Sequence, residues 1–311
     1  MADRPPLELG RTLDRFDVID RLVPRQPRHP CQPHLDEPPL FDNPSKGVSI
    51  HACHREDLVD AAGHPLSLVH KQIAVDGVFP RRCDAIWNEA VVSEGVRSAQ
   101  RKGRLRGLIT IHDVWACEAS ISIVMERGRR TLGDVVEASD GGLNAEVAQA
   151  YARQILVSLM DMQDVLGVDY RDLGIDNIVL VRDTSSGALR AKLIDFGACL
   201  PMEWSGASRV PSQLAYFGPE LRAGQGLRHE AINLHTLGVM VLEMVHPGVR
   251  GENAVAMAPE GYASLCAADA EALRREPLLN AELEDFLLRN ADRDGLTYAN
   301  AAARPWFAAQ V

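Results

Sequence analysis

The stretch Val168-Asp169-Tyr170-Arg171-Asp172-Leu173-Gly174-Ile175-Asp176-Asn177-Ile178-Val179-Leu180, with Leu193-Ile194-Asp195-Phe196-Gly197 downstream, constrains this chain more than any other. An acid and an amide stand five positions apart, an aliphatic run follows, and a second apolar run ends in Asp-Phe-Gly. Two short strands carrying a metal-binding site look like this, with three oxygen-bearing side chains facing one hollow. Asn177 and Asp195 offer hard oxygen ligands of the kind Mg²⁺ takes together with substrate phosphates. Asp172 lies on the loop before them, where a carboxylate can take a proton from a hydroxyl. Such a set serves phosphoryl transfer.

A chain of 311 residues is long enough for two lobes around a large buried core. It contains no apolar run of the roughly eighteen residues a membrane span needs. Met1-Ala2-Asp3-Arg4-Pro5 opens neither a secretory signal nor a basic presequence, so the expected address is cytoplasmic, or also nuclear, with no membrane partner. The 33 basic and 43 acidic residues leave a net charge of -10, which argues against a nucleic-acid-binding surface. Six cysteines, at 31, 53, 83, 117, 199 and 266, include no C-x-x-C pair and read as reduced, mostly buried thiols. His51-Ala52-Cys53-His54 is the one cluster with ligand chemistry. Alternation along a strand separates His54 from the other two and disfavours a zinc site.

Residues 1–40 are rich in proline and arginine and read as a semi-extended arm, either packed on the first lobe or offered to a partner. Val48 to His54 and Leu66 to Ala74 read as strands joined by a turn at Gly63-His64-Pro65. Leu108 to Val114 and Ser120 to Glu126 read as two more. Asn144 to Leu166 has helical periodicity, with Val147, Tyr151, Ile155, Leu159 and Met162 on one side, Asn144 as N-cap and Gly167 as the stop. Ile232 to Val245 is apolar almost all round, as a helix at the centre of a helical lobe is. Leu278 to Leu288 and Tyr298 to Phe307 supply two further helices.

Tyr170-Arg171-Asp172-Leu173 followed by Asn177 resembles the catalytic loop of protein kinases, and Asp195-Phe196-Gly197 their metal-binding motif. Tyr170 replaces the usual His. Tyr216-Phe217-Gly218-Pro219-Glu220 resembles the close of their activation segment, and Arg304-Pro305-Trp306-Phe307 their closing His-Pro-Trp-Phe. The resemblance runs from about Gly47 to Phe307. It implies an α+β, bilobal fold: a small antiparallel β-sheet lobe with one helix over residues 41–127, then a larger, mostly helical lobe over 128–311. It implies ATP and Mg²⁺ (or Mn²⁺) as cofactors and a protein substrate. Lys71 then holds the α and β phosphates and Glu89 orients it, with Glu94 as competitor. Asn177 and Asp195 hold the metal, and Asp172 accepts the hydroxyl proton. Gly47 and Val69 border the nucleotide, Met125 stands at the back of its pocket, and the backbone after Glu126, at Arg127, forms the hinge that meets adenine. Arg171 either meets a phosphate on Ser205, Ser208 or Ser212 or pairs with an acidic neighbour. The segment from Ser212 to Glu220 leans toward Ser/Thr specificity.

Several positions depart from the family pattern. Asp42 and Pro44 stand where the first two glycines of the phosphate-covering loop belong, which weakens its backbone cradle. Gly174 replaces a lysine that neutralises the γ-phosphate, a charge whose removal typically costs about 10²- to 10³-fold in rate. Val69 replaces a smaller alanine. Asn233 replaces the acid of the helix supporting the catalytic loop, its amide oxygen being expected to accept from the loop backbone. Gly295 takes the place of the arginine that pairs with Glu220, leaving Arg293 as a stand-in. A divergent, slow protein kinase and a catalytically silent binding module are the two readings these features allow. A small-molecule kinase is disfavoured by the Pro-Glu close of the activation segment.

Overall fold

The computed structural model describes residues 32–33, 38–43, 47–60, 63–75, 80–105, 107–116, 120–183, 186–202, 229–245 and 297–308. Six strands form one antiparallel sheet: β1 (Gln32–Pro33), β2 (Phe41–Asn43), β3 (Val48–His54), β4 (Leu68–Ala74), β5 (Ile111–Ala116) and β6 (Ser120–Glu126). Their order is β1-β3-β4-β6-β5, with β2 also on β3. β6 is buried from Ser120 to Met125, as a central strand covered on both faces is. Helix α1 (Pro80–Arg101) packs its Ala90, Val92, Val96 and Ala99 into the same core as Ile73, Ile111, Val114, Ile121 and Ile123. Two expected strands differ at their ends. The second begins at Leu68 rather than Leu66, and the third runs Ile111–Ala116 because Leu108 instead bridges in parallel to Leu193.

His51 and His70 are direct cross-strand partners, and the His70 ring stacks on Trp115 at 5.3 Å. No group of three potential metal ligands forms among the described residues. Burial, and after it the neighbouring His51, lower the His70 pKa from 6.5 to about 4. A histidine whose folded pKa lies below its unfolded value adds stability above pH 6.5, and that stability is lost as pH falls toward 4. The contribution is roughly 2–3 kcal/mol. His70→Phe, which keeps an aromatic ring on Trp115, is expected to flatten the fall in urea-unfolding free energy over that range; an unchanged slope contradicts this.

Past the linker, β7 (Arg130–Thr131) leads into α2 (Leu132–Glu137) through a capping box. The Thr131 hydroxyl accepts from the Asp134 N–H at 3.0 Å, and the Asp134 carboxylate accepts from the Thr131 N–H at 2.9 Å. Helix α3 (Ala145–Asp161) starts at Asn144, whose Oδ1 accepts from the Glu146 N–H at 2.8 Å. One π-turn, Met162–Leu166, closes it at Gly167, whose φ of 66° suits a residue without a Cβ. The buried stripe of α3 runs through Ala148, Tyr151, Ala152, Ile155 and Leu159. Val147, expected on that face, is 41% exposed, because the neighbours of α3 lie on the Ala148 side.

Four short strands follow: β8 (Val168–Asp169), β9 (Ile178–Arg182), β10 (Leu189–Leu193) and β11 (Leu200–Pro201). They form a β10-β9-β7 sheet and a β11-β8 pair. Helix α4 (His229–Val245) packs on α3, and Ile232, Asn233, Leu234 and residues 236–245 are buried. The single helix expected from Tyr298 to Phe307 is two, α5 (Tyr298–Ala302) and α6 (Pro305–Ala308). Pro305 has no N–H to continue α5 but suits the first position of a new helix. Ser205, Ser208, Ser212, the segment Tyr216–Glu220, Leu278–Leu288, Arg293 and Gly295 lie outside the described residues, as does most of the proline-rich arm. No described helix is long and apolar enough to cross a membrane.

Candidate active site

Alternation along β4 places Val69, Lys71 and Ile73 on one face of the sheet. Lys71 Nζ lies 3.1 Å from Glu89 Oε1 on α1 and 3.5 Å from Asp195 Oδ2. The competitor Glu94 is taken by Arg97 three residues on, at 2.6 and 2.7 Å. The Lys71 and Glu89 side chains are buried, whereas that of Asp195 is 44% exposed and open to a ligand.

Burial works against charge on Lys71, but the Glu89 and Asp195 carboxylates together outweigh it and raise its pKa above lysine's ordinary value. Burial, and next the Asp195 charge, push the Glu89 carboxyl up. Burial opposes ionisation of Asp195 as well, yet the adjacent Lys71 overrides it and holds that carboxyl below the usual range. A cation and an exposed carboxylate therefore stand side by side at neutral pH.

Asn177 Nδ2 donates to the Asp172 backbone oxygen at 2.8 Å and to its carboxylate at 2.9 Å. The Ile194 N–H donates to the Asn177 carbonyl at 3.0 Å, which ties the loop to the residue preceding Asp195. Asp195 itself has φ of 61°, a left-handed conformation that aspartate tolerates better than most side chains and that no other described non-glycine residue adopts. The Gly197 N–H turns back to its carboxylate at 3.3 Å.

With the Asn177 amide nitrogen engaged by Asp172, its amide oxygen is the atom left to coordinate. With the exposed Asp195 carboxylate it offers hard oxygen donors of the kind Mg²⁺ takes when phosphates complete its shell. The residues present fit that ion.

Tyr170 received no role from the sequence, yet its buried hydroxyl donates to the Ile194 carbonyl at 2.5 Å. Its ring meets Phe196 edge-on at 6.4 Å. The catalytic loop and the Asp-Phe-Gly segment are thus joined by a side chain as well as by backbone. Arg171 is buried, its Nε 3.8 Å from Asp169 Oδ2.

The remaining expected residues fall into two groups. Val69 and Met125 are cross-strand partners and share a face with Lys71. The Glu126 carboxylate is occupied by the Thr110 N–H at 2.6 Å and by Lys192 at 2.5 Å, and the exposed Arg127 gives its N–H to the Ser67 carbonyl at 3.0 Å. The structure brings neither of these two side chains to the Lys71 cluster. At Gly128 a Cβ would stand 2.7 Å from that of Val179, so only glycine lets the linker pass. Gly47 has φ of 59°, and its carbonyl accepts from the Ala74 N–H at 2.7 Å. A left-handed backbone of this kind suits a residue without a Cβ.

Asn233 corrects an expectation. Its amide nitrogen donates to Asp169 Oδ1 at 2.9 Å and to the Tyr298 hydroxyl at 2.7 Å, instead of its oxygen accepting from the loop backbone. A carboxylate three residues before Asp172 takes the place of the backbone donor.

A family model described as the protein kinase domain matches residues 68–306. The match begins at Leu68, past the segment where the glycine-rich loop belongs. CBL-interacting protein kinase 20 of Oryza sativa subsp. japonica is 30% identical over 149 residues, 45% of this chain and 31% of that protein. The matched stretch thus spans under a third of that relative's length. The family model extends over well more than half the chain and includes the Lys71, Asp172, Asn177 and Asp195 positions, so the chain belongs to the protein kinase family.

Proposed function

We propose that this chain is an ATP- and Mg²⁺-dependent protein kinase that phosphorylates Ser or Thr hydroxyls of a protein substrate in the cytoplasm or nucleus. The observation that carries the reading is the buried Lys71, within 3.5 Å of both Glu89 and the exposed Asp195 carboxylate. Lys71 presents a permanent cation to the phosphates, and Glu89 fixes its direction. Asn177 and Asp195 hold Mg²⁺, which when bound supplies charge neutralisation at the phosphate oxygens. Asp172, oriented by Asn177, accepts the proton of the attacking hydroxyl. Tyr170 and Phe196 keep the two carboxylate-bearing segments in register. Ser/Thr preference rests on the sequence between Ser212 and Glu220.

A second reading, a nucleotide-silent binding module, draws on Gly174 in place of a γ-phosphate cation and on Asp42, opposite Ser49 in the hairpin that covers the phosphates in the family. Transfer from γ-labelled ATP to mixed Ser, Thr and Tyr peptides, followed by phosphoamino-acid analysis, separates the readings. Label in phosphoserine or phosphothreonine is expected. Label in phosphotyrosine alone overturns the specificity, and wild-type transfer no greater than that of Asp172→Ala overturns the enzyme.

A further inference from the structure

We propose that Asp169 is a positioning residue for phosphoryl transfer: its buried carboxylate, gripped by Asn233 of α4, fixes the loop that carries Asp172. The inference deepens the kinase reading and rests on it. Asp169 lies on β8 opposite Leu200 and is 4% exposed. A carboxylate buried this far carries a large desolvation cost unless hydrogen bonds and opposite charge offset it.

The offsetting contacts come from the loop itself and from α4. Asn233 Nδ2 donates to Oδ1 at 2.9 Å, and Arg171 Nε stands 3.8 Å from Oδ2. The same Asn233 nitrogen reaches the Tyr298 hydroxyl at 2.7 Å, and the Tyr298 N–H faces Glu230 Oε1 at 3.5 Å. Catalytic loop, α4 and α5 therefore meet at one buried contact. Burial, and after it the Asp169 charge, raise the Tyr298 pKa well above its ordinary value, so its hydroxyl stays neutral.

Arg171 gives the contact a second purpose. Its Nε and Nη1 are buried with no hydrogen-bond partner among the described residues. Its charge is then balanced through space by Asp169, and the backbone between Asp169 and Asp172 is held at both side chains. Where the family has an acid on the supporting helix this chain has Asn233, and the carboxylate it meets stands on the loop side, so acid and amide can trade positions across the interface.

The exchange can be made by mutation. Asp169→Asn is expected to lower kcat by about 10- to 100-fold through displacement of the Asp172 loop, with the KM for ATP little changed because Lys71 and Asp195 sit on other elements. Asn233→Asp sets two carboxylates against each other and lowers kcat as well. The combined D169N/N233D variant restores a complementary pair and is expected to recover most of the lost kcat. Wild-type kcat in Asp169→Asn, or a combined variant no better than the worse single, overturns the proposal. Should the wild type transfer no phosphate, the kinase reading fails, and amide hydrogen exchange over residues 170–177 decides this contact separately. Faster exchange in Asp169→Asn that is reversed in the combined variant upholds it, and unchanged exchange overturns it.

Discussion

Asp172→Ala and Asp172→Asn are both expected to lower turnover by about 10²- to 10⁴-fold, the range over which a positioned general base acts. The pair of variants separates proton transfer from positioning. Asn177 keeps the backbone oxygen of residue 172 in either variant, at 2.8 Å in the wild type, so its own orientation survives. An asparagine oxygen can also accept the second Asn177 bond, at 2.9 Å in the wild type, yet has no basicity to offer a hydroxyl. Equal losses in steady-state kcat identify Asp172 as the base. Substantial activity in Asp172→Asn with loss in Asp172→Ala assigns it to holding Asn177 instead.

Lys71→Met is expected to produce the largest loss of stability in the molecule as well as a loss of activity. The ammonium is buried between two acids, and removing one partner of a buried ion pair costs about 3–5 kcal/mol because the other charge is left uncompensated. Burial and the Asp195 charge already disfavour ionisation of Glu89, so without Lys71 its carboxyl must bind a proton or be hydrated. A compensating change follows from the same physics. Glu89→Gln in the Lys71→Met background is expected to recover much of the unfolding free energy in urea titrations while leaving phosphoryl transfer absent. Wild-type stability in Lys71→Met would mean the pair is solvated rather than buried.

The α+β architecture was legible because strand alternation and helical periodicity act locally. β3 and β6 coincide with the runs Val48 to His54 and Ser120 to Glu126, and α4 contains the apolar run from Ile232 to Val245. The break at Pro305 was passed over in favour of one helix from Tyr298 to Phe307, although a proline cannot continue the helix before it. The choice between Glu89 and Glu94 was left open by order alone. Arg97 falls three residues after Glu94, however, and a helix makes such a pair neighbours, which removes Glu94 from contention.

Other features depend on tertiary geometry that no local rule supplies. Which side of α3 faces the core is set by α4 and α5, so Val147 was misplaced by one position. The Asp169–Asn233 contact joins residues 64 positions apart, and neither alternation nor periodicity indicates which atom of an amide will face its partner. The Tyr170 bond to the Ile194 carbonyl spans 24 positions and needs two loops to be placed before it can be seen. Glu126 and Arg127 show the reverse limit. Their place in the linker follows from the sequence, but their side chains are claimed by Lys192 or exposed to solvent.

Convergence of Lys71, Asp172, Asn177 and Asp195 on one nucleotide–metal cleft is tested most directly by ATP-induced stabilisation with and without Mg²⁺, in the wild type and in Asp195→Asn. A ligand at one hundred times its dissociation constant adds about 2.7 kcal/mol to the unfolding free energy. The wild type is expected to show a rise in Tm that is much larger with Mg²⁺ than without it, and Asp195→Asn to lose that metal-dependent part. No shift with ATP and Mg²⁺ in the wild type, or a metal-dependent shift that survives unchanged in Asp195→Asn, would contradict the account.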